Sequence, residues 1–544
     1  MTARGPFGRS VGLLAVIPAV FLAVFFLWPV AAIVWRGLAP EGSLDLAATF
    51  DIATTGRWWK VAWFTTWQAL VSTAVTLIVG IAIARIFAKY EFVGRRWLRA
   101  GFTVPFVLPT VVVGTAFIAL LGSNSPIGLD LRDTVVAVIV AHVFFNVAIV
   151  VRTVGDSWAR LDPRAEHASR TLGAGPWTTW REITLPRLLP SILAAGSIVF
   201  LFSFTSFGVV LLLGGPARTT LEVETYIQTT AFLRLDVAAV LAMIQMTIVV
   251  LTLVFQRRMR SRLETGEQLR REQSIRRPIP QGTAGVGVVF SVAVTLAFML
   301  APLLMLVHES LRSGGRYTLA NYRGLNDGTS VMFVTPLEAI WNSVRFGVAA
   351  TALAVVVGGL AAAAIAYTSG RAGRALDLTL MLPLGTSAAT LGFGILITLD
   401  EPPLDLRTSV WLVPIAHALV GIPFVIRLLV PSIRAVDDRL RTAARVLGAS
   451  PWKTWLSVDV PLVAKAVLAA AGFAFAVSLG EFGATAFIAR PEHPTLPTAI
   501  VRYLSRPGAA NFGQAMAMST ILMGVTVCAV LVIERFRIGD TGDF

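Results

Sequence analysis

Few residues in this chain are arranged for covalent chemistry. A loop that cradles nucleotide phosphates needs Gly-x-x-x-x-Gly-Lys-Ser/Thr. The nearest run is Gly448-Ala-Ser-Pro-Trp-Lys453-Thr454. It lacks the second glycine, contains Pro451 and Trp452, and follows no strand. The chain is therefore not expected to hydrolyse ATP. No nucleophile–His–carboxylate pattern or carboxylate pair stands out. The single cysteine, Cys528, excludes a disulfide framework and a cysteine-based metal centre. The five histidines are scattered, so no metal site is expected.

What remains is a set of polar residues inside apolar stretches, where they are expensive and often functional. Glu481, in Ser478-Leu-Gly-Glu-Phe-Gly483, is the sharpest case. Its carboxylate suits contact with a cationic solute, or a hydrogen bond between helices. Asn146, Ser203, Thr205, Ser206, Ser478, Gln245 and Gln514 are weaker candidates for lining a path. Such residues also join neighbouring helices. His142 and His417 read as hydrogen-bonded packing residues.

The elements that hold these residues follow from composition. Of 544 residues, 56% are hydrophobic and 14% charged. Soluble domains carry about 25% charged residues, so an ordinary soluble enzyme is excluded. A membrane helix needs about 20 apolar residues. Twelve stretches qualify: 11–35, 61–87, 102–121, 134–151, 188–212 and 236–255, then 283–307, 341–367, 378–398, 409–430, 463–487 and 513–534. The first is too long for a cleaved signal core. The net charge of +15 has a topological explanation. Arg4, Arg9, Arg85, Lys89, Arg95, Arg96 and Arg99 lie on one side of the membrane. Arg152, Arg160, Arg164, Arg170, Arg181 and Arg187 follow on that side. The alternate loops carry Asp130, Arg132 and Asp133, then Arg218, Glu222, Glu224 and Arg234. Basic loops stay in the cytoplasm, so both termini are expected there. Gln256–Arg277, with eight arginines and three glutamates, reads as a cytoplasmic linker rather than a nucleic-acid contact.

The chain is an internal duplication. At an offset of 275, residues 162–186 match 437–461 at twelve of 25 positions. The same offset pairs Ala141-His142 with Ala416-His417 and Arg152 with Arg427. It also pairs Ser203, Phe207 and Gly208 with Ser478, Phe482 and Gly483, and Thr220-Leu221 with Thr495-Leu496. Six helices per unit is even, so the repeats are parallel. Each repeated loop reads as a helical knob. Asp162 or Asp437 caps a first helix, and Gly173 or Gly448 stops it. Pro176 or Pro451 starts a second helix, and Pro186 or Pro461 breaks the chain before the next span. Trp177/Trp180 and Trp452/Trp455 share a face that packs onto the bundle or enters a partner's groove. Gly214-Gly215-Pro216 marks a non-helical stretch.

Glu166-His-Ala168, Gly173 and Ile183-Thr-Leu-Pro186 resemble the EAA loop of ABC-importer permeases. In that family this loop forms the coupling helix that docks on the ATPase subunit. The resemblance spans the chain as two fused halves: 1–255 with loop 162–186, linker 256–282, and 283–544 with loop 437–461. It implies an all-α membrane fold of the type I importer (MetI-like) class. It also implies ATPase coupling through Glu166, Ala168, Gly173, Pro176, Trp177, Trp180 and Pro186, with their counterparts Arg441, Ala443, Gly448, Pro451, Trp452, Trp455 and Pro461. The second copy departs at Arg441, where the acidic residue belongs. The implied partners are two ATPase subunits, which use ATP, and an extracytoplasmic solute-binding protein. No cofactor is expected on this chain. Ala141-His-Val-Phe-Phe-Asn146, Ser203–Pro216 and Thr220–Tyr226 resemble fused thiamine permeases, with ferric-iron permeases as the near rival. An ion-driven carrier of two parallel repeats is the competing class.

Overall fold

The computed structural model describes residues 11–40, 42–122, 128, 130–263, 277–278, 282–327, 332–368, 370–400, 402 and 404–537. Arg4, Arg9 and linker residues 264–276 and 279–281 lie outside the described residues.

The described residues are mainly helical, with four two-residue strands in two small pairs. In order, the first unit has α1 (Gly12–Leu38), α2 (Gly56–Lys89), α3 (Thr110–Leu121), α4 (Val135–Ala159), α5 (Pro176–Phe204) and α6 (Leu235–Gln256). The second has α7 (Gly285–Ser310), α8 (Pro336–Tyr367), α9 (Ala388–Thr398), α10 (Leu412–Arg434), α11 (Pro451–Gly480) and α12 (Ala509–Leu531). Ten are long and apolar enough to cross a membrane.

The third span of each unit differs from the uninterrupted helix expected. α3 has 12 residues, about 18 Å at 1.5 Å per residue, short of a ~30 Å bilayer core. It follows helical pieces Arg95–Gly101 and Thr103–Val107 and a break at Leu108-Pro109. α9 follows Gly370–Leu380 and a 3-10 turn Leu382–Gly385. There the Ser387 hydroxyl accepts from the backbone N–H of Ala389 and Thr390. Pro105, Pro109 and Pro383 remove the donors an unbroken helix needs.

The expected span 188–212 is also interrupted. α5 ends at Phe204, and a short helix Gly208–Leu213 follows. α11 ends at Gly480, before Thr485–Ile488. Pro186 and Pro461 do not break the chain. A π-helical turn over Trp180–Thr184 or Trp455–Asp459 precedes each, and the proline falls in the first turn of the segment beyond it. The wider turn absorbs a residue that cannot donate.

The two units interlock. α1 packs against α8 and α9 of the second unit, and α7 against α3 of the first. The largest apolar cluster draws residues from both, and two smaller clusters lie within the first unit. From α4 onward the repeat keeps its offset of 275, but α2 and α3 match α8 and α9 at 278. Thr65 accepts from Leu221 N–H as Ser343 accepts from Leu496 N–H. Gly80 faces Val150 as Gly358 faces Val425. The three-residue shift therefore falls between α3 and α4. The linker is partly helical, since the α6 helix continues to Leu263. Arg277-Pro278 pairs in parallel with Tyr90-Glu91 at the end of α2.

Close approach makes one glycine testable. A Cβ on Gly392 would lie 2.5 Å from the Ala484 Cα, whereas nothing lies within 4 Å of one on Gly524. Gly392→Ala should cost about 1–3 kcal/mol by overpacking, seen as a lower melting temperature of the purified protein. Gly524→Ala should leave it unchanged.

Candidate functional site

The two knobs form alike. Asp162 Oδ1 accepts from Arg164 N–H, and Asp437 Oδ1 from Arg439 N–H. Helices Arg164–Thr171 and Asp438–Val446 follow. They end at Gly173 (φ 86°) and Gly448 (φ 83°), a left-handed conformation that only glycine adopts cheaply. Matched bonds close the turn, Ala174 N–H to Ser169 O and Ala449 N–H to Ala444 O. Pro176 and Pro451 open the next helix. Ala168, Ala443, Trp177 and Trp452 are exposed. Trp180 stacks on Trp158 of α4 at 5.1 Å, whereas Trp455 lies against Trp452 at 4.9 Å. The tryptophan pairs thus serve both packing and surface, differently in each knob.

Arg441 does not loosen the second knob. In the first, Glu166 accepts from the Thr184 hydroxyl (2.8 Å) and pairs with Lys89 at the end of α2 (2.9 Å). In the second, Arg441 donates twice to Asp459 (2.8 and 2.7 Å), and its guanidinium lies 5.4 Å from the Tyr367 ring at the end of α8. Asp459 occupies the place of Thr184, and Tyr367 that of Lys89. The same three-way junction is built with reversed polarity. Burial alone would raise the Glu166 carboxyl, but hydrogen bonds from Lys89 and Thr184 outweigh it and hold it below the usual range. Its charge therefore stabilises the knob above that range and stops doing so as pH falls through the lowered value. Burial opposes the Arg441 charge, yet bonds to Asp459 and Asp438 hold its pKa above the ordinary value.

Within the bundle the polar residues sort into two sets. Glu481 is 6% exposed. Its oxygens accept from the backbone N–H of Ala484 (2.8 Å) and Thr485 (3.1 Å), and from the Thr485 hydroxyl (2.6 Å). His417 Nε2 lies 3.3 Å away, and His417 Nδ1 meets the Ser478 hydroxyl at 2.8 Å. Glu481 thus caps the turn after α11 and ties it to α10. In the first unit Ser72 meets His142 Nδ1 at 3.0 Å, and Asn146 and Gln68 both reach Ser203. Ser206 is buried in the break after α5.

Across the junction of the units, Phe207 and Phe482 stack at 5.2 Å and 21°. These two are equivalent in the repeat, so the contact lies on the pseudo-twofold axis. Tyr226 and Phe487 close around them. Beyond the stack, on the face opposite the knobs, a cavity of about 630 Å³ is lined by both units. Tyr226, Phe482, Phe512, Arg132, Arg490 and Arg502 contribute to its wall.

Several of these residues escaped the sequence. Glu222 and Glu224 read as loop charges, yet they are buried on a helix, Leu221–Thr230, bound to Gln245 and to Arg57 and Gln228. Gln68 and Ser72 were hidden in an apolar span. The signal for the phenyl stack was present in the repeat, which pairs Phe207 with Phe482.

Two interlocked six-helix units, an aromatic stack at their junction and paired knobs fit a membrane permease. The chain belongs to the binding-protein-dependent transport system inner membrane component family, whose model matches it twice, at residues 76–264 and 354–536. It is 26% identical to a probable ABC transporter permease protein of Sinorhizobium fredii, over 95% of both chains. It is 27% identical to the thiamine transport system permease protein of Brucella abortus, over 94% of both chains. A Salmonella typhimurium permease protein named for 2-aminoethylphosphonate transport is 28% identical over 48% of this chain and 98% of its own. That single-unit length fits one of the two halves here. The chain is an ABC-importer permease of the fused two-half type, which sets aside the ion-driven carrier.

The junctions generate a prediction. Arg441→Ala leaves Asp459 buried without a counter-charge and should cost on the order of 3 kcal/mol. The triple change Tyr367→Lys, Arg441→Glu and Asp459→Thr rebuilds the first-half junction and should recover most of that loss. Thermal melting of the purified chain compares the two.

Proposed function

We propose that this permease imports thiamine or its phosphate esters. Two separate ATPase subunits power it through the knobs, and an extracytoplasmic solute-binding protein supplies it. Both termini and the knobs face the cytoplasm. The observation that carries the cargo is the likeness, along 94% of both chains, to a relative named for thiamine transport. The basic loops support the orientation. Coupling through the knobs is supported by their duplication, their shared left-handed glycine stops and their exposed tryptophans.

A mechanism follows. The binding protein delivers solute to the cavity opposite the knobs. ATP binding draws the ATPase subunits together and moves both knobs. Each knob is continuous with a long helix, Pro176–Phe204 or Pro451–Gly480, and each helix ends just before Phe207 or Phe482. Rocking of the units then parts the phenyl stack and opens the axis. An aromatic pair contributes about 0.5–1.5 kcal/mol beyond its burial, small enough to be broken in every cycle.

In vesicles holding the permease with its ATPase and binding protein, labelled thiamine should accumulate only with ATP. Accumulation of ferric iron and not thiamine would overturn the cargo. Phe207→Ala with Phe482→Ala should let thiamine leak without ATP. Gly173→Pro with Gly448→Pro, which forces φ near −65°, should abolish uptake while the chain still inserts. Normal uptake by that variant would contradict coupling through the knobs.

A further inference from the structure

The first half holds a buried polar nest that the second half lacks. Gln68 and Ser72 lie one turn apart on α2, and His142 and Asn146 one turn apart on α4. Ser203 of α5 joins them. All five are at most 2% exposed. Gln68 Nε2 donates to the carbonyls of Ser203 (2.9 Å) and Thr65 (3.1 Å). Two carbonyls can only accept, so the Gln68 amide orientation is fixed. Asn146 Nδ2 reaches the Ser203 hydroxyl at 3.4 Å. Three atoms are left over: Gln68 Oε1, Asn146 Oδ1 and His142 Nε2 have no protein partner. Buried polar atoms without partners are costly and rare, and here three fall on neighbouring turns of two packed helices.

The second half shows what a satisfied version looks like. Phe346 and Ala350 occupy the places of Gln68 and Ser72, and Gly421 that of Asn146. Both ring nitrogens of His417 are bound, Nδ1 to Ser478 and Nε2 to Thr485. At these equivalent positions the unmet capacity therefore lies in the first half. Its place also fits: Ser203 lies one turn before Phe207, on the knob side of the phenyl stack. On the import reading, a solute that parts the stack and moves toward the knobs travels in the direction of the nest.

We infer that this nest is the first half's recognition site for a solute group that donates hydrogen bonds, an amino or hydroxyl group. Resting on the import reading above, it assigns Gln68 Oε1 and Asn146 Oδ1 as the accepting atoms. The second half supplies shape and a satisfied histidine, not polar recognition.

The single native cysteine makes the test direct. In a Cys528→Ser background, Gln68→Cys and Asn146→Cys are assembled with the ATPase and binding protein in vesicles and treated with a small methanethiosulfonate. Gly421→Cys is the control, since the nearest atoms to a Cβ there, on Ala354 and Ala474, lie at ordinary contact distance. Both first-half thiols should label during ATP turnover, with thiamine slowing labelling several-fold, and Gly421→Cys should show no such protection. Protection by a different solute carried by the binding protein would keep the nest and overturn thiamine. No labelling in any state, or labelling that thiamine does not slow while thiamine is still transported, would overturn the nest and leave it as a water-filled packing site. A second variant guards against misfolding. Asn146→Leu should raise the uptake KM about tenfold without lowering the melting temperature. A fall in melting temperature with KM unchanged would also overturn the proposal.

Discussion

A backbone inside a bilayer must satisfy its own polar groups, because lipid offers none. Every break in a membrane helix of this protein therefore has to lie where protein surrounds it. The four breaks obey that constraint together. A Cβ on Gly208 would meet Thr110 and Phe482, and one on Gly480 would meet Pro109. Gly392 and Gly483 bring the break before α9 against the one after α11. The interruptions of α3, α5, α9 and α11 thus converge at the junction of the units. The same convergence sets Phe207 against Phe482 and leaves the cavity beyond them.

The knobs solve a different problem. Each is anchored both to a membrane helix and to its own half. A π turn joins knob to helix, and a three-way junction joins knob to the end of α2 or α8. The two junctions use opposite charges at equivalent places: Glu166 with Lys89 and Thr184, Arg441 with Asp459 and Tyr367. A charge reversal compensated at two further positions preserves the architecture, so the departure at Arg441 is local chemistry and not loss of the knob.

Much of this was legible in the sequence. Apolar length located the spans, and a repeat at constant offset located the knobs, because those signals are local or self-referential. The capping aspartates, the left-handed glycines and the starting prolines act within a few residues and read correctly. What failed to read was long-range. Pro186 and Pro461 signal a break in isolation, yet a preceding π turn accommodates them. Glu222 and Glu224 look like loop charges until Gln245, Arg57 and Gln228 fold around them. Glu481 admitted two readings, and only the positions of His417 and Thr485 show its carboxylate capping a turn. The compensation of Arg441 by Asp459 needs residues 18 apart to meet, and that by Tyr367 needs a contact from another helix.

The central claim is that solute passes along the axis sealed by Phe207 and Phe482. Cross-linking those positions tests it most directly. With Cys528→Ser, the pair Phe207→Cys and Phe482→Cys is bridged by a short, reducible thiol cross-linker in the assembled transporter. ATP-dependent uptake should stop when the bridge forms and return when it is reduced. Uptake at the uncross-linked rate through a fully bridged transporter would place the path elsewhere and contradict the account.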